Sequence, residues 1–301
     1  MTSRRHELLE EAARRWAALA RARPDLQPAI DLQQRLLGEM IEALERLDGH
    51  VAPPIAADDE ALADRLRHGR PALRGATIDI PVKLLAPTLD RFCRYLARGG
   101  AGAVADHLLE ALESGRLNRT SLLEASMARH QRAIDMGARQ MSLSPDLVWL
   151  VGELATAPLA YRLQRRLFER AEAQDAVTLR LALETWDHGY CPACGSWPAL
   201  IEYVGDTRTL RCSFCAAAWV LSAFRCPYCP APATAARAPD PAQPQHVLEC
   251  CRPCGGYTKA LRVQAPAPFP LVAIEDLETL ALDHAAIEQG YARPPLAELG
   301  A

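Results

Sequence analysis

The part of the sequence that decides the fold lies between residues 191 and 254, where cysteines recur in pairs separated by two residues. The pairs stand in CPACG (191–195), CSFCA (212–216), CPYCP (226–230) and CRPCG (251–255). A Cys-x-x-Cys pair forms a tight turn in which both sulfurs converge on one ion while backbone amides donate to them. Four pairs within 64 residues predict two tetrahedral metal centres. A thioredoxin-like redox motif does not explain them, because that fold uses a single pair.

The spacing between the pairs favours ligands shared in chain order. Seventeen residues separate the first pair from the second, and 21 separate the third from the fourth; a zinc ribbon has about 15 to 20. An interleaved arrangement, with the first and third pairs on one ion and the second and fourth on the other, stays open. Cys250 also competes with Cys251 for the last pair, although the regularity of the other pairs favours Cys251. The predicted metal ligands are Cys191, Cys194, Cys212, Cys215, Cys226, Cys229, Cys251 and Cys254.

The predicted cofactors are two metal ions per chain, either iron or zinc, because tetrahedral sulfur ligation suits both. Four thiolates leave no open coordination position, so such a site cannot activate water as a three-ligand catalytic zinc does. The sequence also lacks the common nucleophile, phosphate-binding and dinucleotide-binding motifs. We therefore predict no catalytic residues and no organic cofactor. A single iron could still change oxidation state, which keeps electron transfer or redox sensing open.

Composition and charge restrict the classes of partner. The chain has 301 residues, of which 50% are hydrophobic and 24% charged, as in a globular protein with room for two domains. Its formal net charge is -3, and from residue 186 onward 8 Lys and Arg stand against 11 Asp and Glu. This balance argues against a nucleic-acid partner, which needs clustered positive charge. The apolar stretch Leu147–Tyr161 is too short to span a bilayer, so no membrane insertion is expected.

The N-terminus and the cysteine usage predict a cytoplasmic protein. The first residues alternate charged and apolar types at helical spacing and lack the features of a secretory signal. In a reducing compartment cysteines bind metals or do redox work, because disulfides do not persist there. Cys93, which lies far from the pairs, is expected to be a small buried hydrophobe.

The fold class predicted is α+β, with an all-helical domain over residues 1–185. Ala, Leu, Arg and Glu dominate this half, and apolar positions recur every three or four residues. The predicted helices are Arg4–Ala22, Ile30–Leu47, Asp59–His68, Val82–Ala97, Ala103–Ser114, Leu117–His130 and Pro145 to about Glu172.

Two rubredoxin-like or zinc-ribbon β modules are predicted next, at 186–222 and 223–269, followed by a C-terminal helix and tail at 270–301. Short alternating runs in this part predict antiparallel strands. The proline-rich stretch Pro230–Pro244 predicts a loop, and Gly290 stands where the last helix is expected to stop.

The order of these motifs resembles the FdhE-type formate dehydrogenase accessory proteins. The resemblance runs from residue 190 to 293, through CPxCG, a CxxC followed by a strand with Trp219, CPYC, ExCxxCGxYxK and a C-terminal EDLxxLxLDxxxxxxGYAR. The last two motifs are carried by Glu249, Cys251, Cys254, Gly255, Tyr257 and Lys259, and by Glu275, Asp276, Leu277, Leu280, Leu282, Asp283, Gly290, Tyr291, Ala292 and Arg293. Over the helical half it rests on the patterns RWAALARARP (Arg15–Pro24) and LVWLVGELATAPLA (147–160).

The resemblance implies a cytoplasmic maturation factor, not itself an enzyme, that is needed for active respiratory formate dehydrogenase. It also implies that a metal-stabilised scaffold binds the catalytic subunit of that enzyme, and that two rubredoxin-type modules each hold one iron or zinc. The family does not require cysteine before the last pair, so Cys250 is a departure. Two alternatives stay open: a rubredoxin-like electron-transfer or redox-sensing protein that acts on formate dehydrogenase, and, less favoured, a zinc-ribbon nucleic-acid binder. The oligomeric state is left open as well.

Overall fold

The computed structural model describes residues 2–49, 55–221, 224–232 and 243–296. The chain divides into two compact units, one comprising Met1–Pro54 and Thr77–Leu163, the other Ile55–Ala76 and Gln164–Ala301. The domain boundaries predicted at residues 185, 222 and 269 stay predictions. Among the described helices, none is both long and apolar enough to cross a membrane.

Nine α-helices precede the sheet in the described part of the chain. Caps fix two of their starts: the Asp58 carboxylate accepts from the Ala61 amide at 2.8 Å, and the Asn118 amide oxygen accepts from the Ser121 amide at 3.0 Å. The nine are α1 (Thr2–Ala22), α2 (Gln27–Asp48), α3 (Asp59–Arg67), α4 (Val82–Leu96), α5 (Gly102–Glu113), α6 (Arg119–Met127), α7 (Gln131–Gln140), α8 (Pro145–Ala171) and α9 (Val177–Glu184).

The predicted helix Leu117–His130 contains α6 but extends past both of its ends, and the prediction missed α7 and α9. The predicted helix Leu117–His130 ends early because Arg129 adopts a left-handed backbone, with φ of 61°, and α7 begins two residues later. A non-glycine residue in this conformation is uncommon, and the spacing of apolar residues in this segment does not indicate it. Helix α9 has only 8 residues and no side-chain cap, so its pattern is too short to read.

The second unit contains one five-stranded sheet, in the order β3-β2-β1-β5-β4. Its hairpins β1–β2 and β4–β5 are antiparallel, as predicted, and β3 adds two residues to the edge. The central pair β1–β5 is parallel, contrary to the all-antiparallel expectation. This pair merges the strands of the two predicted modules into one sheet. The strands are β1 (Pro198–Val204), β2 (Thr207–Cys212), β3 (Ala218–Trp219), β4 (His246–Cys251) and β5 (Gly256–Val263).

The C-terminal helical segment packs on the β4–β5 hairpin. Buried Leu248 and Tyr257 of the hairpin form one cluster with Leu282 and Ala286. The segment is divided into α10 (Val272–Glu278) and α11 (Leu280–Glu288). The break falls at Thr279, whose hydroxyl donates to the Glu275 carbonyl at 2.6 Å; such back-bonding bends helices. The predicted loop Pro230–Pro244 lies largely outside the described residues, since 233–242 are not among them.

Candidate metal centres

The hairpin β1–β2 assembles the first four-cysteine group, which consists of Cys191, Cys194, Cys212 and Cys215. The first pair lies in the turn before β1, whereas Cys212 ends β2 and Cys215 follows it. The Sγ atoms of Cys191 and Cys215 are 3.6 Å apart, and those of Cys194 and Cys212 are 3.4 Å apart. All four cysteines are buried.

The second group consists of Cys226, Cys229, Cys251 and Cys254, and here the last pair lies at the turn of the hairpin β4–β5. Cys251 ends β4, and Cys254 lies in the turn before β5. The Sγ atoms of Cys226 and Cys254 are 3.8 Å apart, and those of Cys229 and Cys251 are 3.5 Å apart. Here burial is uneven, since Cys254 is exposed and Cys229 is half-buried.

The grouping follows chain order and not the interleaved alternative. Cys250 belongs to neither group, because its side chain packs against the apolar cluster of Leu248, Tyr257 and Leu282. Cys251 therefore takes the position for which the two neighbours compete in the sequence. Cys93 is fully buried in α4, as the sequence predicted, and burial raises the pKa of its thiol to about 12.

The sulfur geometry fits a tetrahedral ion. Metal–sulfur bonds of about 2.3 Å place the ligand sulfurs of such an ion about 3.8 Å apart. Two sulfur separations in each group, of 3.4 to 3.8 Å, are close to this value, all four sulfurs of each group lie within 4.8 Å of one another, and these separations are much longer than a disulfide bond. Backbone amides also point at the sulfurs: those of Phe214 and Cys215 lie 3.4 Å from Cys212 Sγ, and that of Tyr228 lies 3.4 Å from Cys226 Sγ. These donors suit thiolates that bind zinc or iron.

Burial makes uncompensated thiolates unfavourable in the first group. Burial raises the pKa of the Cys191 and Cys215 thiols well above the ordinary value. Four thiolates would place four negative charges where water is excluded, and a divalent ion would offset half of that charge. Binding such an ion displaces protons from the thiols, so the affinity must fall as the pH decreases.

Left-handed residues close three of the four cysteine turns. Gly195, Ala216 and Gly255 each follow the second cysteine of a pair, with φ of 83°, 55° and 68°. Glycine adopts this conformation without steric cost, which explains its place in the CPACG and CRPCG motifs. At Cys229 the following residue is proline, which cannot adopt a positive φ.

A junction joins the loop before the first group to the turn of the third cysteine pair, and sequence reasoning missed it. Gly189 lies so close to Pro227 that an added Cβ would overlap the Pro227 backbone. The rings of Trp197 and Tyr228 meet edge to face, with centroids 5.2 Å apart. Nearby, Arg225 forms an ion pair with Asp187 at 2.6 Å. The only sequence signal for the junction is the glycine that precedes Tyr190 and Cys191.

Two ion clusters, whose contacts the sequence did not reveal, stabilise the sheet. Glu249, two residues before Cys251, accepts from Arg208 at 2.7 Å and from the Tyr203 hydroxyl at 2.7 Å. Because Arg208 lies on β2 and Glu249 on β4, this ion pair spans the two central strands. Tyr203 and Arg208 lie outside the sequence motifs described above, so the sequence pointed only to Glu249.

The second cluster centres on Lys259 of β5, whose side chain is fully buried. Its Nζ lies 2.7 Å from a carboxylate oxygen of Asp276 and 2.7 Å from one of Asp283. Arg293 approaches the same two carboxylates at 3.1 and 3.0 Å. These residues belong to the C-terminal motifs of the resemblance, and their contacts tie α10, α11 and the following tail to β5.

Curated proteins similar to this chain are FdhE homologues. The FdhE homologue of Shewanella sp. (strain MR-4) is 35% identical over 106 residues, which cover 34% of this chain and 35% of the relative. That of Aquifex aeolicus is 27% identical over 122 residues, covering 36% and 40% of the two chains. The matched segments thus span well under half of these relatives. No family model matches the chain.

The fold comparison extends the similarity over nearly all of the chain. The crystal structure of the FdhE protein from Pseudomonas aeruginosa matches with a TM-score of 0.64 and 25% identity, covering 98% of this chain and 97% of that one. The helical part, the mixed sheet and the two four-cysteine groups therefore belong to a known architecture. These similarities confirm the resemblance to FdhE-type proteins that the cysteine pairs and the C-terminal motifs predict.

Proposed function

We propose that this chain binds one metal ion in each four-cysteine group and acts as a non-catalytic, cytoplasmic accessory protein in the maturation of a formate dehydrogenase. The observation that carries the proposal is the assembly of eight cysteines into two groups of four within an FdhE-like fold. The accessory role rests on the resemblance, and the metal role rests on the sulfur geometry.

Bound metal would supply folding free energy to the second unit. Its sheet has only five strands, one of them two residues long, and two of these strands end at grouped cysteines, Cys212 and Cys251. A structural zinc contributes on the order of 10 kcal/mol when it binds and folds a small module. The ions would thus hold rigid a surface that recognises the catalytic subunit of the enzyme.

The four-sulfur donor set supports a non-catalytic role for the bound metals. Four sulfurs fill the coordination sphere of a tetrahedral ion, which leaves no position for a substrate or an activated water. The alternative role in electron transfer is favoured by one observation, the exposure of Cys254 in the second group. Iron in that group would support this alternative, whereas zinc in both groups would support the scaffold.

The test is the metal content of the anaerobically purified chain together with its capture of the catalytic subunit. We expect two ions per chain, and we expect Cys194→Ser and Cys229→Ser each to lower the content and to abolish capture. Cys250→Ala is the matched control, because Cys250 neighbours a predicted ligand without belonging to a group; it should keep both ions and the capture. A metal-depleted chain that folds and captures the subunit normally would contradict the proposal.

A further inference from the structure

The two four-cysteine groups differ in how far solvent reaches them. In the first group, every residue from 191 to 196 is buried, together with Cys212 and Cys215. In the second group, Cys226 and Cys251 are buried, but Cys229 is half-buried and Cys254 is exposed. The sulfurs are similarly spaced in both groups, so the difference lies in access and not in the ligand set.

A neighbouring segment covers the first group. The amides of Ala72 and Leu73 donate to the carbonyls of Pro192 and Ala193, inside the first cysteine pair, at 2.8 Å each. Both covering residues are themselves buried. Because the four cysteines and this cover are buried, a molecule can approach the sulfurs only after a local opening, and local opening of a buried element costs free energy.

The second group presents its last turn to solvent. Arg252, Pro253 and Cys254 are three consecutive exposed residues. A small cleft, with room for about one water molecule, is lined by Cys226 and Cys251 of the group and by Tyr228. A dissolved ligand can therefore approach this group without any opening of the sheet.

Access decides how fast a thiolate-bound ion exchanges. In an associative exchange, the lone pair of an incoming donor forms a bond to the metal, and one metal–sulfur bond breaks. No electrons are transferred, and the leaving thiolate must be able to move into water. Cys254 meets this condition, whereas no sulfur of the first group does.

We propose that the second group is a metal-exchange site, through which the protein takes up and releases a thiolate-binding divalent cation such as Zn²⁺ or Fe²⁺, and that the first group holds a permanent ion. The inference rests on the proposed binding of one ion by each group. It assigns the two groups separate roles: the first stabilises the fold, and the second responds to the metals and chelating ligands in its surroundings.

The experiment uses the full-length chain loaded with zinc and an excess of the chromogenic chelator 4-(2-pyridylazo)resorcinol. We expect release in two phases of equal amplitude, one ion each, with the second phase roughly tenfold or more slower because it requires local opening. Cys254→Ser should remove the fast phase and leave the slow one. Cys250→Ala, the matched control, should keep both phases.

Labelling of the zinc-loaded wild-type chain provides a second measurement, independent of any folding defect in the variants. Among the eight grouped cysteines, N-ethylmaleimide followed by mass spectrometry should modify Cys254 first and Cys229 next, well before any cysteine of the first group; Cys250, which belongs to neither group, is not part of this comparison. Two ions that leave at one rate, or early labelling of the first group, would overturn the exchange site and leave the proposed metal binding intact. A chain that never holds two ions would overturn the proposed function, and this inference with it.

Discussion

At the scale of single residues, Lys259 is a buried charge whose stability depends on its ion-pair partners. It is fully buried, and its ammonium group lies within 2.8 Å of two carboxylates and the Asp276 carbonyl. A buried charge is tolerated only when it is paired, and the removal of one partner leaves the others uncompensated. The chain has one other lysine, Lys83, which is exposed on α4 and offers a matched control.

We expect Lys259→Met to lower the free energy of unfolding by about 3 kcal/mol or more, because Asp276 and Asp283 then face each other with only Arg293 to offset them. Lys83→Met should change it by less than about 0.5 kcal/mol. Urea denaturation of the metal-loaded variants measures both values. Equal stability of the two variants would show that the Lys259 cluster contributes nothing.

The effect should also depend on pH. Burial raises the pKa of Asp276, but Lys259 and Arg293 outweigh it, so the pKa lies below its ordinary value. A carboxylate with a lowered pKa in the folded state adds stability above its unfolded pKa, and this stability is lost as the pH falls. The deficit of Lys259→Met should therefore be full at neutral pH and shrink below about pH 4. A deficit that is constant down to pH 3 would contradict this account.

At the scale of elements, the junction between residues 187–190 and the turn at 226–229 connects the two cysteine groups. Gly189 has an ordinary φ, so its requirement is one of space: a methyl group there would overlap the backbone of Pro227. Backbone atoms cannot move aside as the end of a long side chain can. The loop and the turn must therefore separate if any larger residue is introduced.

We expect Gly189→Ala to destabilise the second unit by about 3 kcal/mol and to lower the zinc content below two ions per chain, because overpacking against backbone displaces both turns. Gly137→Ala is the control, since an added Cβ at Gly137 in α7 meets nothing within 4 Å; it should raise stability by up to about 1 kcal/mol. Zinc analysis and urea denaturation report both effects. A Gly189→Ala chain that retains two zinc ions and wild-type stability would disprove the close contact.

At this scale, a feature could be predicted from the sequence when the residues that form it lie close together in the chain. The Cys-x-x-Cys turns and the strand of Thr207–Cys212 are set by neighbouring residues, so their pattern is visible in the chain. The parallel pairing of β1 with β5 joins residues more than fifty positions apart, Leu200 with Lys259 for example, and no local pattern specifies it. The contacts of Gly189 with Pro227 and of Lys259 with Asp283 are of the same kind, and the sequence supplies only the residue types.

At the scale of the whole molecule, the chain contains two units that differ in secondary structure and in cysteine content. The unit that comprises Met1–Pro54 and Thr77–Leu163 is all-helical and has a buried apolar core, which includes Leu37, Leu89 and Leu108. It contains only one cysteine, Cys93, and so has no candidate metal group in its described residues. The other unit contains the sheet and all eight grouped cysteines.

The tryptophans allow the two units to be observed separately. Trp186, Trp197 and Trp219 lie in the second unit, and Trp16 and Trp149 in the first. Trp197 also contacts Tyr228 between two cysteines of the second group. Most of the fluorescence change on metal loss should thus come from the second unit, whereas the circular dichroism at helical wavelengths reports mainly on the long helices of the first unit.

Removal of both ions should therefore unfold the second unit and leave the first folded. We expect a strong chelator at neutral pH to shift the tryptophan emission to longer wavelength, because the sheet loses the folding free energy of the ions. The helical circular dichroism should keep most of its amplitude and melt in a separate thermal transition, since the core of the first unit contains no thiolate ligand. If the helical signal is instead lost together with the emission shift, the units unfold as one and their stability is shared. Zinc added back to the depleted chain provides the control, because it should restore the emission without altering the helical transition.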